Sequence, residues 1–352
     1  MPRNITLKDV AKHAGVSYQT VSKVIRNQIQ VTPEVRERIQ IAIEALDYHP
    51  NAAAQNLRTQ SSHLIGYSWQ SDPQGHSSPV LEQFQHSIVE CAEDFGYHIL
   101  LFPQRAQRDL DAIYEELVHT RRVDGFIVSS VEYNDPRIPI IERLKVPMVS
   151  FGRSDDESPS AYVDVDGRAG IAAVVRHLIE QGHRKIAVLA WPESSRTGAY
   201  RLAGYWEAME EADLPIDPKW LVRGKGEIDY GYEAAHKLLD LPEKRRPTAI
   251  VTMLDTIAIG AMQAVEACGE QIGRDIAVTG FDDMPVAHHV KPSLTTVRQP
   301  VWEVGRAVID LLMALLNEHP QSGQPPAGQH VLLSPELVVR ESSLGDAPEM
   351  VD

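Results

Sequence analysis

From His63 onward, short apolar runs alternate with longer amphipathic stretches, and no other feature of the sequence narrows the fold as far. The runs His63–Trp69, Tyr97–Phe102, Gly125–Ser129 and Pro147–Phe151 have the length and composition of strands. Helical spacing marks Val80–Phe95 and Asp109–His119 between them. The rhythm returns with Lys185–Ala190, Thr248–Met253 and Ile276–Phe281, interleaved with Gly167–Gln181, Thr197–Ala212, Asp229–Leu239 and Thr256–Ala267. Strands that alternate with helices form parallel sheets covered on both faces. Two such blocks predict an α/β body of two doubly wound lobes. Ligands of open α/β sheets bind beyond the carboxyl ends of the strands, which places a site in the cleft between lobes.

Residues 1–62 follow a different rule. The whole chain of 352 residues carries a formal net charge of −15, which argues against a polyanionic partner until it is partitioned. Residues 1–62 hold eight basic and five acidic side chains, and the remainder 26 and 44. A basic head on an acidic body points to a head that meets a polyanion while the body avoids one. No apolar run reaches the ~18 residues of a membrane span, and Met1-Pro2-Arg3-Asn4 lacks the apolar stretch of a signal peptide. Cys91 and Cys268 are too few for a disulfide framework or a cysteine metal site, so the expectation is a cytoplasmic protein with no cofactor and no metal.

Within the head, Thr6-Leu7-Lys8-Asp9 has capping-box spacing, and Leu7, Val10, Ala11 and Ala14 form one helical face ended by Gly15. Ser17 is a second N-cap, with Val21, Val24 and Ile25 on the apolar side of the next helix. Tyr18, Gln19, Ser22, Lys23 and Arg26 are expected on its exposed face. Thr32-Pro33-Glu34 starts a third helix, backed by Val35, Ile39, Ala42, Ile43 and Leu46. Two short helices around a Gly-containing turn, closed by a third, spell a helix-turn-helix. Tyr48–Arg58 then reads as an Asn-capped, Ala-rich helix of barely two turns, too short to be stable alone.

These residues carry a resemblance. Leu7-Lys8-Asp9-Val10-Ala11, Ala14-Gly15-Val16-Ser17, Thr20-Val21-Ser22, Tyr48-His49-Pro50-Asn51 and Leu57-Arg58 resemble the DNA-binding head and hinge of the lactose-repressor (LacI/GalR) family of bacterial transcriptional regulators, and the likeness runs through nearly the whole chain. It implies an all-α helix-turn-helix head (1–48) joined by a hinge helix and linker (49–62) to a periplasmic-binding-protein-like body. Three crossings between lobes are expected near Val163–Asp166, Lys291–Thr295 and Gln324–Gln329. These give lobes of 63–163 plus 295–325 and of 165–291 plus 329–341, and a tail at 342–352.

The resemblance places Tyr18, Gln19 and Lys23 against base edges, with Thr6, Ser17, Thr20, Ser22, Asn51 and Ala54 among the further DNA contacts. Lys23 stands where the family's founding member has arginine, and a point donor cannot form the fork that arginine presents to guanine. Leu57 matches the wedge inserted into the minor groove at the centre of a palindrome; the alternative is a staple between hinge and core. The implied partners are a pseudo-palindromic double-stranded operator and a second copy of the chain, with no membrane. The tail after Arg340 lacks the leucine heptads of a tetramer bundle.

Enzyme chemistry finds little support. The sequence has no dinucleotide fingerprint after a strand, no P-loop, no His-Glu-x-x-His and no Gly-x-Ser-x-Gly elbow. Asp282-Asp283, read as strand residues, point to opposite faces and cannot flank one bond. His288-His289 lacks partners at metal spacing. The resemblance instead implies an effector in the cleft, held by Arg201, Asp166, Asp255, Asp282 and Gln299. Trp69, Phe151 and Trp191 end apolar strands, placed either to stack on a ring or to pack in the core. Leu254 stands where many relatives have asparagine, and Gly226 near a family aromatic. Ser150–Arg153 and Asp164–Gly167 look closest to members that answer to α-glucosides, so a sugar is the expected effector; a purine, or a phosphorylated carrier protein as co-regulator, is the alternative.

Overall fold

The computed structural model describes residues 5–25, 29–48, 61–70, 78–104, 109–153, 160–322 and 329–345. Arg26, and hinge residues 49–60 with Asn51, Ala54 and Leu57, lie outside the described residues. Contacts divide the chain into residues 1–62 and 63–352.

In the head, α1 (Leu7–Ala14), α2 (Tyr18–Ile25) and α3 (Pro33–Ala45) close on Val10, Ala11, Ala14, Val21, Val24, Ile39, Ala42 and Tyr48. The capping box forms, with the Thr6 N–H donating to Asp9 Oδ2 at 2.9 Å. Gly15 takes the left-handed conformation (φ 65°) that turns the chain out of α1. Ser17 Oγ accepts from the Thr20 N–H at 3.0 Å and so starts α2. Thr32 departs from expectation: its side chain makes no capping bond, and its carbonyl accepts from Val35 and Arg36.

The body holds two parallel sheets. Strands β1 (Leu64–Gln70), β2 (His98–Gln104), β3 (Gly125–Ser129), β4 (Met148–Phe151), β5 (Ala161–Val165) and β11 (His330–Leu333) form the first, in the order β11-β5-β4-β3-β1-β2. The second is β7 (Leu221–Arg223), β6 (Ile186–Ala190), β8 (Ala249–Thr252) and β9 (Ala277–Thr279), in that order. Helices cover both faces of each. Along β6 the side chains alternate, with Ile186, Val188 and Ala190 in one core and Ala187 and Leu189 in the other. This double burial makes such strands read as continuous apolar runs.

The helices of the body are α4 (Pro79–Glu93), α5 (Leu110–His119), α6 (Arg137–Leu144), α7 (Gly167–Glu180), α8 (Arg196–Glu211), α9 (Ile228–Leu239), α10 (Asp255–Ala267) and α11 (Val301–Ser322). Two pairs in the second lobe touch backbone to backbone. A Cβ at Gly204 of α8 would collide with the Arg168 carbonyl of α7. Gly231 of α9 and Gly260 of α10 meet the Ile257 and Ile228 carbonyls in the same way.

The structure moves two expected lobe boundaries. Residues 330–333 were expected in the second lobe, but β11 pairs in parallel with β5 of the first sheet. Residues 295–298 were expected in the first lobe, but β10 (Thr296–Arg298) pairs antiparallel with β12 (Glu336–Val338), and Val297 is buried in the second-lobe core. The crossings therefore fall after Val165, between Arg298 and Val301, and between Leu333 and Glu336. The expected tail at 342 begins inside the lobe. Ser342 and Ser343 are fully buried, and Ser342 Oγ donates to the Val278 carbonyl at 2.6 Å.

In the first lobe α11 lays Val304, Val308, Leu312 and Leu315 against Phe84 and Ile88 of α4. A Cβ at Gly305 would meet Ser87 Cβ at 2.6 Å and Ile88 N at 3.3 Å. Gly305→Ala should destabilise the body by about 1–3 kcal/mol through overpacking, more than the ~1 kcal/mol of helix propensity it gains. Urea denaturation checks this; a more stable variant would mean that α4 and α11 separate freely.

Candidate functional site

The head presents Tyr18, Gln19 and Lys23 on the outer face of α2, with Ser17 and Thr6 exposed beside it and Thr20 half-buried. An aromatic, an amide and an ammonium on one short helix are suited to base edges in a major groove. Ser22 is corrected: it is buried at 6% exposure, not presented. It lies between buried Val21 and half-buried Ile25, at the edge of the apolar stripe, and a hydroxyl is small enough to join it.

In the body a cavity of about 320 Å³ lies beyond the carboxyl ends of β4, β5, β6, β8 and β9, between the lobes. Five of the expected effector residues line it: Phe151, Trp191, Arg201, Asp282 and Gln299. Arg201, on the inner face of α8, is 5% exposed. Its Nη1 donates to the Met253 carbonyl at 2.5 Å, its Nη2 lies 3.6 Å from Asp282 Oδ1, and its guanidinium rests 3.6 Å from the Phe281 ring centroid and 5.1 Å from that of Trp191. Burial lowers the Arg201 pKa and raises that of Asp282, while their mutual attraction opposes both shifts. Gln299 Nε2 donates to Asp282 Oδ1 at 2.6 Å. Two buried donors in this wall, Arg201 Nε and Trp191 Nε1, find no partner among the described residues.

Three expected residues do not line the cavity. Asp166 caps α7, accepting from the Ala169 N–H at 2.9 Å. Trp69 is 50% exposed. Asp255 is fully buried beneath the floor, accepting from the Met284 N–H at 2.6 Å and lying 2.5 Å from Thr296 Oγ1. Asp282-Asp283 also differs from expectation. The pair forms a bend with φ of 111° and 51°, not a strand, yet the two still part company: Asp283 turns away to Arg298 at 2.7 Å and Arg340 at 2.6 Å. His288 is exposed and meets Arg340.

The structure adds residues that sequence reasoning passed over. Asp164 lines the cavity and pairs with Arg153 at 2.9 Å; burial pushes its carboxyl up against that pull. Two places away from Asp166, Asp164 sits inside β5, where alternation turns it toward Tyr162's side of the sheet. Tyr200, one residue before Arg201, also lines the cavity. The space at Gly226 is taken by Leu254 and by the Trp191 indole, whose Nε1 lies 3.4 Å from where a Cβ would stand.

Burial, with the neighbouring Asp282 charge, pushes the Asp255 carboxyl up to about 8. Folding thus favours its neutral form, which can donate to Thr296 Oγ1 and still accept from Met284. A raised carboxylate contributes stability that is full below its unfolded pKa, near 4, and lost as pH rises toward 8. Asp255→Asn mimics the neutral acid. Relative to the parent chain, it should gain melting temperature steadily from pH 5 to pH 8 (a range set by the same shift). A difference that does not change with pH would mean that residue 255 is ionised throughout.

No helix among the described residues is long and apolar enough to cross a membrane. The family profile described as "Bacterial regulatory proteins, lacI family" matches residues 6–51, and that described as "Periplasmic binding protein-like domain" matches residues 175–343. The HTH-type transcriptional repressor PurR of Klebsiella pneumoniae is 33% identical over 347 residues, 97% of this chain and 98% of its own length. A regulatory protein of the LacI family from Chloroflexus aggregans is 45% identical with a TM-score of 0.75, covering 80% of this chain and 98% of its own. The lac repressor dimer bound to operator and the anti-inducer ONPF is 30% identical with a TM-score of 0.80, covering 97% of this chain and 100% of its own. The chain belongs to the lacI family of bacterial regulatory proteins, as a transcriptional repressor with a helix-turn-helix head on a periplasmic-binding-protein-like body.

Proposed function

We propose that the protein works in the cytoplasm as a homodimer on a pseudo-palindromic DNA operator, and that a small neutral ligand in the cleft of the body sets its operator affinity. It does so without catalysis or cofactor. The DNA half of this reading is supported by Tyr18, Gln19 and Lys23 on one exposed helix face. One such helix reads only a few base pairs, so two copies related by a two-fold axis are needed for specificity.

The balance of charge and donors in the cavity wall carries the ligand half. Arg201 faces Asp282 and Arg153 faces Asp164, so the wall has no net charge to offer an ion. Behind the wall, Arg201 Nε and Trp191 Nε1 are buried without partners among the described residues, so a ligand that draws these side chains inward must bring acceptors. A neutral molecule rich in hydroxyl and ether oxygens, a sugar, meets both conditions. A purine base is the second reading, favoured by Phe151 and Trp191 lining the same cavity. Melting the full chain against a panel of mono- and disaccharides and of purine bases distinguishes them; if neither class raises the melting temperature, the cleft is not an effector site.

Arg201→Ala should leave operator affinity intact without ligand and weaken the response to the ligand by roughly one to two decades, the worth of a charge-assisted hydrogen bond. The paired measurement is operator affinity alone and the ligand concentration that half-shifts it. Loss of both, with a lower melting temperature, would make Arg201 a structural ion pair.

Selection from random DNA should return a pseudo-palindrome with a central CG step. On that site Leu57→Ala should weaken binding far more than on random DNA, because a wedge acts only where the duplex is kinked. Phosphate contacts from the basic head should make both affinities fall steeply with salt. Equal losses on the selected site and on random DNA would contradict the wedge.

A further inference from the structure

We propose that Glu132 is a positioning residue that latches the two lobes together across the mouth of the cleft. It projects from the loop after β3 in the first lobe, and its carboxylate meets the first turn of α8 in the second. The Arg196 N–H donates to Glu132 Oε2 at 2.8 Å, and Ser195 Oγ lies 3.5 Å from Glu132 Oε1. The first N–H groups of a helix have no partner within it and carry the positive end of its dipole, so a carboxylate from outside is their natural complement. The unusual point is that this cap comes from the other lobe, 64 residues away in sequence.

A second contact crosses at the same place. The Arg196 guanidinium stacks 4.5 Å from the ring centroid of Tyr133, the residue after Glu132. A third lies beside it, where Arg153 of the first lobe stacks 4.3 Å from the ring centroid of Tyr200 on α8.

The loop that carries Glu132 is built to hold still. Arg137, 3% exposed, donates to the Ser129 and Ser130 carbonyls at 2.8 and 3.2 Å and pairs with Asp135 at 2.5 Å. Ser130 adopts left-handed backbone (φ 52°), which serine takes far less readily than glycine or asparagine, and Asn134 (φ 55°) is of a type that accepts it. Glu132 therefore meets α8 from a fixed base. Since α8 also carries Arg201, the latch ties closure of the lobes to the placement of that guanidinium; this last step alone rests on reading the cleft as the effector site.

The test needs no ligand. Cys268 is exposed on the second lobe and Cys91 is buried, so Ala112→Cys on exposed α5 supplies a second labelling site in the first lobe. Fluorescence energy transfer between the two labels, on full chain diluted into excess unlabelled chain, reports the distance across the cleft. Glu132→Ala should shift the balance of open over closed forms by roughly tenfold or more, the weight of a hydrogen bond to a charged group. Glu132→Gln, which keeps an oxygen for the Arg196 N–H, should shift it less, and Tyr133→Ala should shift it in the same direction. If Glu132→Ala fails to fold, the other two variants decide by the same criterion. Folded variants whose distance distributions superimpose on the parent, with or without a lowered melting temperature, would overturn the latch and leave Glu132 a local cap.

Discussion

Three carboxylates gathered at the exit of β9 hold the crossing segments of the body in place. Asp282 receives Gln299 and faces Arg201, Asp283 receives Arg298 and Arg340, and Asp255 joins Thr296 to the backbone of Met284. A chain that passes between lobes must leave its sheets, and the polar groups it carries there still need partners in a buried setting. Here those partners are supplied by the bend at Asp282-Asp283 and by Asp255 at the start of α10. Asp282 and Gln299, which tie a connector to the bend, also line the cavity.

That sharing bears on how a bound molecule would act. A ligand that touches Asp282 and Gln299 touches the connector itself, and it need not transmit anything through the lobe cores. A ligand shifts an equilibrium between two arrangements only by the difference in its affinity for them. Groups that stand at the junction change their surroundings most when one lobe turns on the other, which is where such a difference is largest.

Most of the architecture was legible because its signals are local. The strands of both sheets are buried on two faces and stand out as apolar runs, and the head helices declare themselves through Thr6, Gly15 and Ser17. α11 was passed over although Val301, Val304, Val308, Leu311, Leu312 and Leu315 follow helical spacing, because no capping residue opens it and Pro320 lies within it. β11 and β12 were assigned to one lobe because they are short and only two residues apart; their separation depends on pairing with β5 and β10, which lie far off in sequence. Among cleft residues, Phe151, Trp191, Arg201, Asp282 and Gln299 were found, while Trp69, Asp166 and Asp255 were placed in the wall when the first is exposed away from it, the second caps a helix and the third lies beneath the floor. A carboxylate that caps a helix and one that binds a ligand look alike in sequence. The pairing of Glu132 with α8 left no local trace at all.

The glycine contacts between helices of the second lobe set its mechanical character. At Gly204, Gly231 and Gly260 the neighbouring backbones touch with no side chain between them, and rotamers cannot yield where there are none. Helices seated this way cannot slide past one another without separating, so the lobe has little compliance of its own. A push applied at its cleft edge is carried across it as by a stiff lever, and the displacement emerges at the far ends of the three connectors. A lobe of softer side-chain packing would absorb the same push as small local adjustments, and the effect would fade within the domain.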